Sequence, residues 1–308
     1  MDKYTEQTRL WLDQRFKQTD SEGVYFAHQP IYGFRNGPTE TELIGRYIIT
    51  FQLMKMLAHL NFNSFLDVGG AEGYKAALVK SLFNVEVRSS DLSIEACKRA
   101  KEIYNIEGDP IDIHKLPYDD DQFDVILCSE TLEHVPDFRL ATSELLRVCR
   151  KAVLITVPHE SNKVIQRNIR NQIPHGHIHS FNKESFDFSK SVAKKITHKR
   201  IISSPLRILN AVLDGKKRTE AAGFPDFLIN LNNLTVPLTN KIVGEKTANF
   251  MLLLDEIATK LFPLYSGFLF LLCKDKNCYS DKVYRKITPR QIIDFKVPLY
   301  KLNQTTDK

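Results

Sequence analysis

Residues 65–74 read FLDVGGAEGY, a short apolar run that ends in an acid and continues into a glycine-rich turn. The apolar run is typical of a buried strand, and the stretch KAALVKSLF at 75–83 has the spacing of a helix. Gly69, Gly70 and Gly73 allow tight turning and a close approach of the backbone to a ligand. This segment therefore predicts a strand–loop–helix unit with a ligand-binding turn.

The glycine spacing differs from the G-x-G-x-x-G fingerprint of dinucleotide-binding domains. Position 71 is Ala71, and no glycine falls at the required distance after it. Asp67 lies two residues before the first glycine, which is also unlike that fingerprint. A ligand that lacks a pyrophosphate but carries an ammonium group explains this acid better.

From residue 64 to residue 157 the chain alternates strand-like and helix-like stretches. The strand-like stretches are FLDV, VEVRS, FDVILCS and AVLITV, and the helix-like ones are KAALVKSLF, SIEACKRAKEIY and FRLATSELLRVC. Such alternation is typical of βαβ units, in which a parallel sheet is covered by helices on both faces. The pattern predicts a doubly wound α/β domain.

Polar groups follow each predicted strand of this domain. Asp91 ends the second strand, Asp112 follows the third in PIDIHKLP, and Ser129 with Glu130 follows the fourth. Open α/β sheets bind ligands at the carboxyl ends of their strands, where an acid after the second strand accepts hydrogen bonds from a ribose diol. Together with the glycine turn, these groups predict one nucleoside-like ligand site.

The stretches FLDVGGAEG, SSDLS, DIHKLPYDDDQFDVI and SETLEHV resemble the class I S-adenosylmethionine (SAM)-dependent methyltransferases, of the small-molecule, methyltransferase domain 11-like type. Ala71 departs from the family pattern, which has a glycine there. The resemblance implies SAM as cofactor and a set of cofactor-binding residues: Asp67, Gly69, Gly70, Ala71 and Gly73 for the methionine portion, Asp91 and Leu92 for the ribose, Asp112 and Ile113 for the adenine, and Ser129 and Glu130 near the sulfonium.

The same resemblance implies a Rossmann-like, seven-stranded, mostly parallel sheet whose last strand is antiparallel. We expect four parts: an N-terminal helical lid (1–60), the SAM-binding core (61–203), a helical cap insertion (204–264), and the last strand with a C-terminal tail (265–308). A helix is predicted from about Thr39 to His59 within the lid.

After the fifth strand the pattern predicts a polar loop over 159–180, a helix near 183–193, and strands at 196–203 and 267–275. The insertion should contain a helix at about 245–261 with one buried apolar stripe, while Asp255, Glu256 and Lys260 face elsewhere. The residues of that stripe are Phe250, Leu253, Leu254, Ile257, Ala258 and Leu261. Burial in the core and lining of an acceptor pocket both explain such a stripe.

Histidines are concentrated after the fifth strand, where PHGHIHSF carries His175, His177 and His179. His179 is the candidate general base for a hydroxyl acceptor, since histidine titrates near neutral pH. His175 and His177, with His28 and Tyr32 of the aromatic N-terminal loop, are candidate substrate-binding residues; packing roles explain them as well. Displacement at a sulfonium needs no Lewis acid, so we expect no metal site and metal-independent activity.

Charge is distributed unevenly along the 308 residues. The chain carries −7 through Glu160 and +13 from Ser161 onward, for a net +6. The basic half is compatible with an anionic acceptor or peripheral contact with an acidic membrane, and also with a solvated lysine-rich face. The sequence shows no signal peptide or transmembrane stretch, and its five cysteines lack paired spacing. We therefore expect a cytoplasmic protein with reduced thiols, in which Cys273 and Cys278 are structural.

The predicted activity is methyl transfer from SAM, most simply to an oxygen of a sugar, lipid or secondary metabolite. The fourth strand ends in CSETLEHV, not in Asn-Pro-Pro-Tyr, and no Pro-Cys nucleophile motif is present. Both absences argue against methylation of nucleic-acid bases. Methylation of an RNA ribose or other oxygen remains an alternative, as does a non-catalytic scaffold with this fold.

Overall fold

The structure is a computed structural model that describes residues 3–19, 43–203, 245–262 and 264–295, with the single residues 227, 230 and 234. The helices are α1 (Lys3–Phe16), α2 (Leu43–Leu57), α3 (Tyr74–Phe83), α4 (Ile94–Tyr104), α5 (Phe138–Val148), α6 (Asn162–Arg170), α7 (Glu245–Leu261) and α8 (Pro289–Ile293). The strands are β1 (Ser64–Val68), β2 (Glu86–Asp91), β3 (Gly108–Pro110), β4 (Phe123–Ser129), β5 (Cys149–Pro158), β6 (Lys195–Ser203) and β7 (Tyr265–Cys273).

The strands form one seven-stranded sheet in the order β3-β2-β1-β4-β5-β7-β6. The five strands β1 to β5 are parallel, whereas β7 lies antiparallel between β5 and β6. The predicted fold class, including the antiparallel last strand, is confirmed. The order reverses at β1 and β4, which is the switch point where open α/β sheets bind ligands.

Alternation along the central strands divides the core into two layers. Phe65 of β1 and Leu127 of β4 face a cluster that includes α2, α3 and α7. Leu66 of β1 and Ile126 of β4 face the opposite cluster, which includes α5. Since both faces are covered, these strands carry continuous apolar runs, as expected of buried parallel strands.

Two predictions after β5 are wrong. Residues 162–170, expected in a loop, form α6. Only Ile165 and Asn168 of this helix are buried, so the sequence has too few apolar residues at helical spacing to predict it. The helix expected at 183–193 is a single 3₁₀ turn at Asp187–Ser189 within a series of turns. Its hydroxyl at Ser189 bonds back to the carbonyl of Phe186 (2.8 Å), a local bond that competes with regular helix.

The orientation of α7 also differs from the prediction. Its bounds are as expected, but Phe250, Leu253, Ile257 and Leu261 are 49–71% exposed. Asp255, expected outside, is buried, and its carboxylate accepts hydrogen bonds from the backbone N–H groups of β6 at Ile202 (3.3 Å) and Ser203 (2.7 Å). The polar contacts decide the rotation of the helix, and the face that packs into the core consists of Met251, Leu252, Asp255, Ala258 and Thr259.

The expectation of five reduced thiols is wrong for one pair. Cys273, at the end of β7, is disulfide-bonded to Cys278. The intervening turn brings the two Cα atoms to 6.1 Å, a separation that a disulfide spans. Cys97, Cys128 and Cys149 are buried free thiols.

Several sequence-based predictions fall on residues that the structure does not describe. His28 and Tyr32 lie outside the described residues, as do most of the N-terminal aromatic loop and most of the insertion over 204–244. Among the helices that are described, none has the length and hydropathy needed to cross a membrane.

Asp255→Ala should lower the free energy of unfolding by about 2–3 kcal/mol, because it leaves the N–H groups of Ile202 and Ser203 without their acceptor. Urea denaturation measures this loss. Lys260→Ala, at an exposed position of the same helix, is the matched control and should change stability little. A loss below about 0.5 kcal/mol for Asp255→Ala would contradict this account of α7.

Candidate active site

A cavity of about 480 Å³ opens at the carboxyl ends of β1, β2 and β4. Most of the sequence-predicted site residues that the structure describes lie on its wall: Gly69, Ala71, Asp91, Leu92, Asp112, Ile113, Ser129, Glu130, His175 and His177. Asp67, Gly70, Gly73 and His179 are not part of this wall. The fold thus brings the two histidines to the same cavity as the predicted cofactor residues.

The turn after β1 leaves no room for side chains at its glycines. Gly69 has a φ of +73°, and a Cβ there would lie 2.2 Å from the hydroxyl oxygen of Thr131. A Cβ at Gly70 would lie 2.4 Å from the Ser89 hydroxyl oxygen. Ala71, which replaces the family's glycine, adopts a φ of +49°. The substitution is therefore accommodated in the left-handed conformation that glycine favours.

Asp91 ties this turn to the second strand. One carboxylate oxygen accepts a hydrogen bond from the N–H of Ala71 and the other from the N–H of Ser93, both at 2.9 Å. Burial raises the pKa of Asp91, and the backbone donors oppose that rise. The carboxylate is thereby fixed at the cavity wall with lone pairs left for a ligand.

Asp67 is buried beneath the turn. Its Oδ2 atom has no hydrogen-bond partner in the described part of the chain, and burial raises its pKa to about 6. The ammonium of Lys75 opposes this rise, whereas the carboxylate of Asp91 adds to it. Burial in turn lowers the pKa of Lys75. Asp67 therefore lies behind the turn and not on the cavity wall.

Helix α1 covers one side of the cavity, where it contributes Thr5, Thr8, Leu12 and Phe16 to the wall. Its Asp13 carboxylate accepts hydrogen bonds from the Ser93 hydroxyl (2.6 Å) and the N–H of Glu95 (3.2 Å) at the start of α4. Acids are stabilised at a helix N-terminus, which explains how α1 is anchored there.

Acids and histidines lie together at the end of the cavity below β4. Glu130, at a φ of +55°, has a pKa raised by burial, although its hydrogen bond with Thr156 and the charges of Lys75 and His177 oppose the rise. Burial and the neighbouring Glu130 raise the pKa of Glu133 well above its ordinary value. Burial and the closeness of two carboxylates thus disfavour the simultaneous ionisation of Glu130 and Glu133.

Three histidine rings lie in contact with one another beside these acids. The rings of His134 and His175 are stacked at 3.6 Å, and His134 contacts His177 edge-on at 4.8 Å. Burial lowers the pKa of His134 well below its usual range and that of His175 to about 4, so both rings are neutral at pH 7. His177 is held by the Glu160 carboxylate at 2.9 Å.

His179, the predicted general base, is not among the residues that line the cavity. Its Nε2 atom donates to the backbone carbonyl of Val135 (2.7 Å), and its ring packs on Phe138. This geometry does not support the prediction. His177 and His179 lie two residues apart but contact different partners, the Glu160 carboxylate and the Val135 carbonyl, so the alternation expected of an extended segment does not bring His179 to the cavity.

Sequence reasoning missed several wall residues. Arg46 of α2 and Lys75 of α3 bring positive charge to the cavity, and His134 and Ile202 complete its wall. The motif SETLEHV was a signal for His134, since it includes that residue. Nothing local marks Arg46, Ile202 or the α1 residues, because only the packing of distant segments places them here.

Comparison with known proteins agrees with this geometry. Residues 66–157 match the family model of a methyltransferase domain. No curated protein sequence matches the chain. Similar solved structures include geranyl diphosphate C-methyltransferase from Streptomyces coelicolor A3(2) in complex with Mg²⁺, geranyl diphosphate and S-adenosylhomocysteine, with a TM-score of 0.53 and 15% identity over 89% of this chain and 98% of that one.

A geranyl diphosphate methyltransferase in complex with its diphosphate substrate and sinefungin is similar too. Its TM-score is 0.51 at 14% identity, over 89% of this chain and 100% of that one. At these identities the two structures establish the fold. The chain carries a class I SAM-dependent methyltransferase domain. It is an enzyme whose methyl donor is SAM.

Asp67→Asn should change the pH dependence of stability. The carboxyl titrates near 3.8 when unfolded and near 6 when folded, so the folded state binds more protons between these values and the wild type loses stability as pH rises through them. The variant lacks this loss. Relative to wild type, it should gain about 1–3 kcal/mol in unfolding free energy between about pH 4 and pH 7.

Urea denaturation at the two pH values tests this expectation. Asp119→Asn, at an exposed turn, is the control and should follow the wild-type profile. Parallel pH profiles for Asp67→Asn and wild type would contradict the raised pKa of Asp67.

Proposed function

We propose that this enzyme transfers the methyl group of SAM to an oxygen of a small or medium-sized acceptor, such as a sugar, a lipid or a secondary metabolite. The observation that carries the proposal is the composition of the cavity wall. It combines the glycine turn, Asp91 and Asp112, which suit a nucleoside, with the partly buried carboxylate of Glu130. A methyl donor and a proton acceptor can therefore lie in the same cavity.

In this proposal the methionine portion of SAM lies along the turn at Gly69 and Ala71. Arg46 and Lys75 supply positive charge for its carboxylate, and Asp67 balances its ammonium from behind the turn. Asp91 accepts hydrogen bonds from the ribose hydroxyls. The adenine lies beyond, against a wall formed by Leu92, Ile111, Asp112 and Ile113.

Transfer breaks the bond between the sulfonium sulfur and the methyl carbon and forms one between that carbon and the acceptor oxygen. The sulfur leaves neutral, as S-adenosylhomocysteine, and the hydroxyl proton passes to a base. We assign that base to Glu130 in place of His179, because Glu130 lies on the wall and burial moves its pKa towards neutrality. Holding the two reactants in line supplies most of the remaining acceleration.

The size and charge of the cavity support a compact acceptor. A volume of about 480 Å³ lies in the lower half of the range of ligand pockets, about 300–1,000 Å³, so cofactor and acceptor must share limited space. This favours a small molecule over RNA. The two similar structures hold an anionic acceptor, geranyl diphosphate. An anionic acceptor is consistent here with the basic C-terminal half.

We retain the division of the chain as a proposal: a lid (1–60), a core (61–203), a cap insertion (204–264) and a C-terminal part (265–308). The position of α1 over the cavity supports a lid role for the first segment. Helix α7 packs on β6, α2 and α8, which favours core burial over pocket lining for the described part of the insertion. A cytoplasmic location and peripheral membrane contact stay predictions.

Asp91→Ala should weaken SAM binding by about 1–3 kcal/mol, since it removes the acceptor for the ribose hydroxyls. Isothermal titration calorimetry measures the change. The control is Asp109→Ala, whose carboxylate bonds Tyr118 (2.7 Å) away from this cavity and should leave SAM affinity unchanged. If Asp91→Ala folds and binds SAM as tightly as wild type does, the cofactor site is misplaced.

Glu130→Gln should bind SAM but lose methyl transfer by about 10²–10⁴-fold, because the amide cannot accept the hydroxyl proton. Cell extract incubated with isotope-labelled SAM, followed by mass spectrometry, identifies labelled products and measures the rate. Full activity of Glu130→Gln on an oxygen acceptor would remove Glu130 as the base. A labelled carbon or nitrogen in the product would overturn the oxygen assignment.

A further inference from the structure

Glu133, His134 and His177 form a cluster of potential metal ligands at the acceptor end of the cavity. One ligand atom from each residue lies within 4.8 Å of the other two. The first two residues belong to the turn after β4, and the third to the segment after α6. A backbone hydrogen bond from the N–H of Ile178 to the carbonyl of Glu133 (2.8 Å) joins the two segments. The cluster is thus held by the fold and not by flexible surface side chains.

The carboxylate of Glu133 has no adequate partner in the described part of the chain. The side chain is 1% exposed, and neither carboxylate oxygen makes a hydrogen bond there. Its nearest ionisable neighbour is His134, whose Nε2 atom lies 3.7 Å from Oε1. Burying such a group is costly unless it is paired or coordinates a metal, and the 3.7 Å separation from His134 is longer than a hydrogen bond.

The hydrogen bonds of both histidines leave one ring nitrogen available to a metal. The Nδ1–H of His134 donates to the backbone carbonyl of Gly176 (3.4 Å). The Nδ1 of His177 bonds the Glu160 carboxylate (2.9 Å). In each ring this leaves the lone pair on Nε2. A carboxylate or carbonyl behind the ring is the usual outer partner of a metal-binding histidine.

We propose that Glu133, His134 and His177 bind a divalent transition-metal ion of the Zn²⁺ class. Bonds of about 2.1 Å place two ligand atoms at most about 4.2 Å apart, so small side-chain rotations bring the three into one coordination sphere. Imidazole and carboxylate together suit Zn²⁺, Mn²⁺ or Fe²⁺ better than Mg²⁺. This proposal differs from the sequence-based expectation of no metal site.

Three protein ligands leave open coordination positions, and both histidines lie on the cavity wall. An acceptor hydroxyl bound at an open position would be oriented beside Glu130 and would lose its proton more readily. This role in catalysis rests on the proposed function. Binding of the metal does not, and it can be measured without SAM or acceptor.

The test uses the full chain, stripped with EDTA and titrated with Co²⁺, a coloured substitute for Zn²⁺. We expect visible absorption bands that saturate at one equivalent and disappear when Zn²⁺ competes. Glu133→Gln and His177→Gln should weaken binding by at least about 100-fold. Glu160→Gln, which removes only the outer partner, should weaken it about 10–100-fold.

His179→Gln is the matched control, since it removes a histidine two residues away that contacts Val135 and not the cluster. It should bind Co²⁺ as wild type does. Equal binding by all the variants, or no saturable binding by the folded wild type, would overturn the site. A rise in melting temperature on adding Zn²⁺ to wild type but not to Glu133→Gln provides a second measurement.

Asp91→Ala separates this proposal from the proposed function. That variant should lose SAM affinity and keep Co²⁺ affinity, whereas His177→Gln should keep SAM affinity and lose Co²⁺ affinity. Loss of both ligands in both variants would show that the two sites are not distinct and would overturn the metal site as assigned.

Discussion

The interaction on which the rest of the site depends is the tie between the turn after β1 and the end of β2. Asp91 accepts from the N–H of Ala71, while the carbonyl of Ser90 accepts from the N–H groups of Gly69 (2.8 Å) and Gly70 (3.0 Å). These bonds hold the turn against the sheet at the switch point between β1 and β4. Without them the turn could not present its backbone and Asp91 to the same ligand.

That arrangement concentrates carboxylates at one sheet edge. Asp67, Asp91 and Glu133 are buried and Glu130 is partly buried, and loss of contact with water raises the pKa of each. Backbone N–H donors at Asp91 and the charge of Lys75 at Asp67 offset the free-energy cost of burying an ionised carboxylate. This cost is least offset at Glu133, whose oxygens have no hydrogen-bond partner in the described part of the chain. Groups whose charged form is poorly stabilised in the free protein are those that a cationic ligand stabilises most, and SAM is itself a sulfonium cation with an ammonium group.

The two ends of the cavity are built differently. In the proposed arrangement, the cofactor end comes mainly from consecutive βα units, so most of its residues follow strands in chain order. The proposed acceptor end combines the turn after β4, the segment after α6 and β6, which are far apart in the chain. We expect substrate preference to depend on this second group, because its segments can change without disturbing the sheet.

The sequence by itself determined the doubly wound domain and the meeting of the glycine turn with the strand-end acids, because these are local patterns that the parallel sheet places along one edge. Asp91, Asp112 and the turn at Gly69 could be predicted for this reason. Only the tertiary structure decided the acceptor end. His179 turns to the Val135 carbonyl while His134 and His177 meet at Glu133. Asp255 bonds β6, and four of the six residues of the predicted apolar stripe of α7 face outward. These outcomes depend on hydrogen bonds between residues more than 40 positions apart, which no local periodicity encodes.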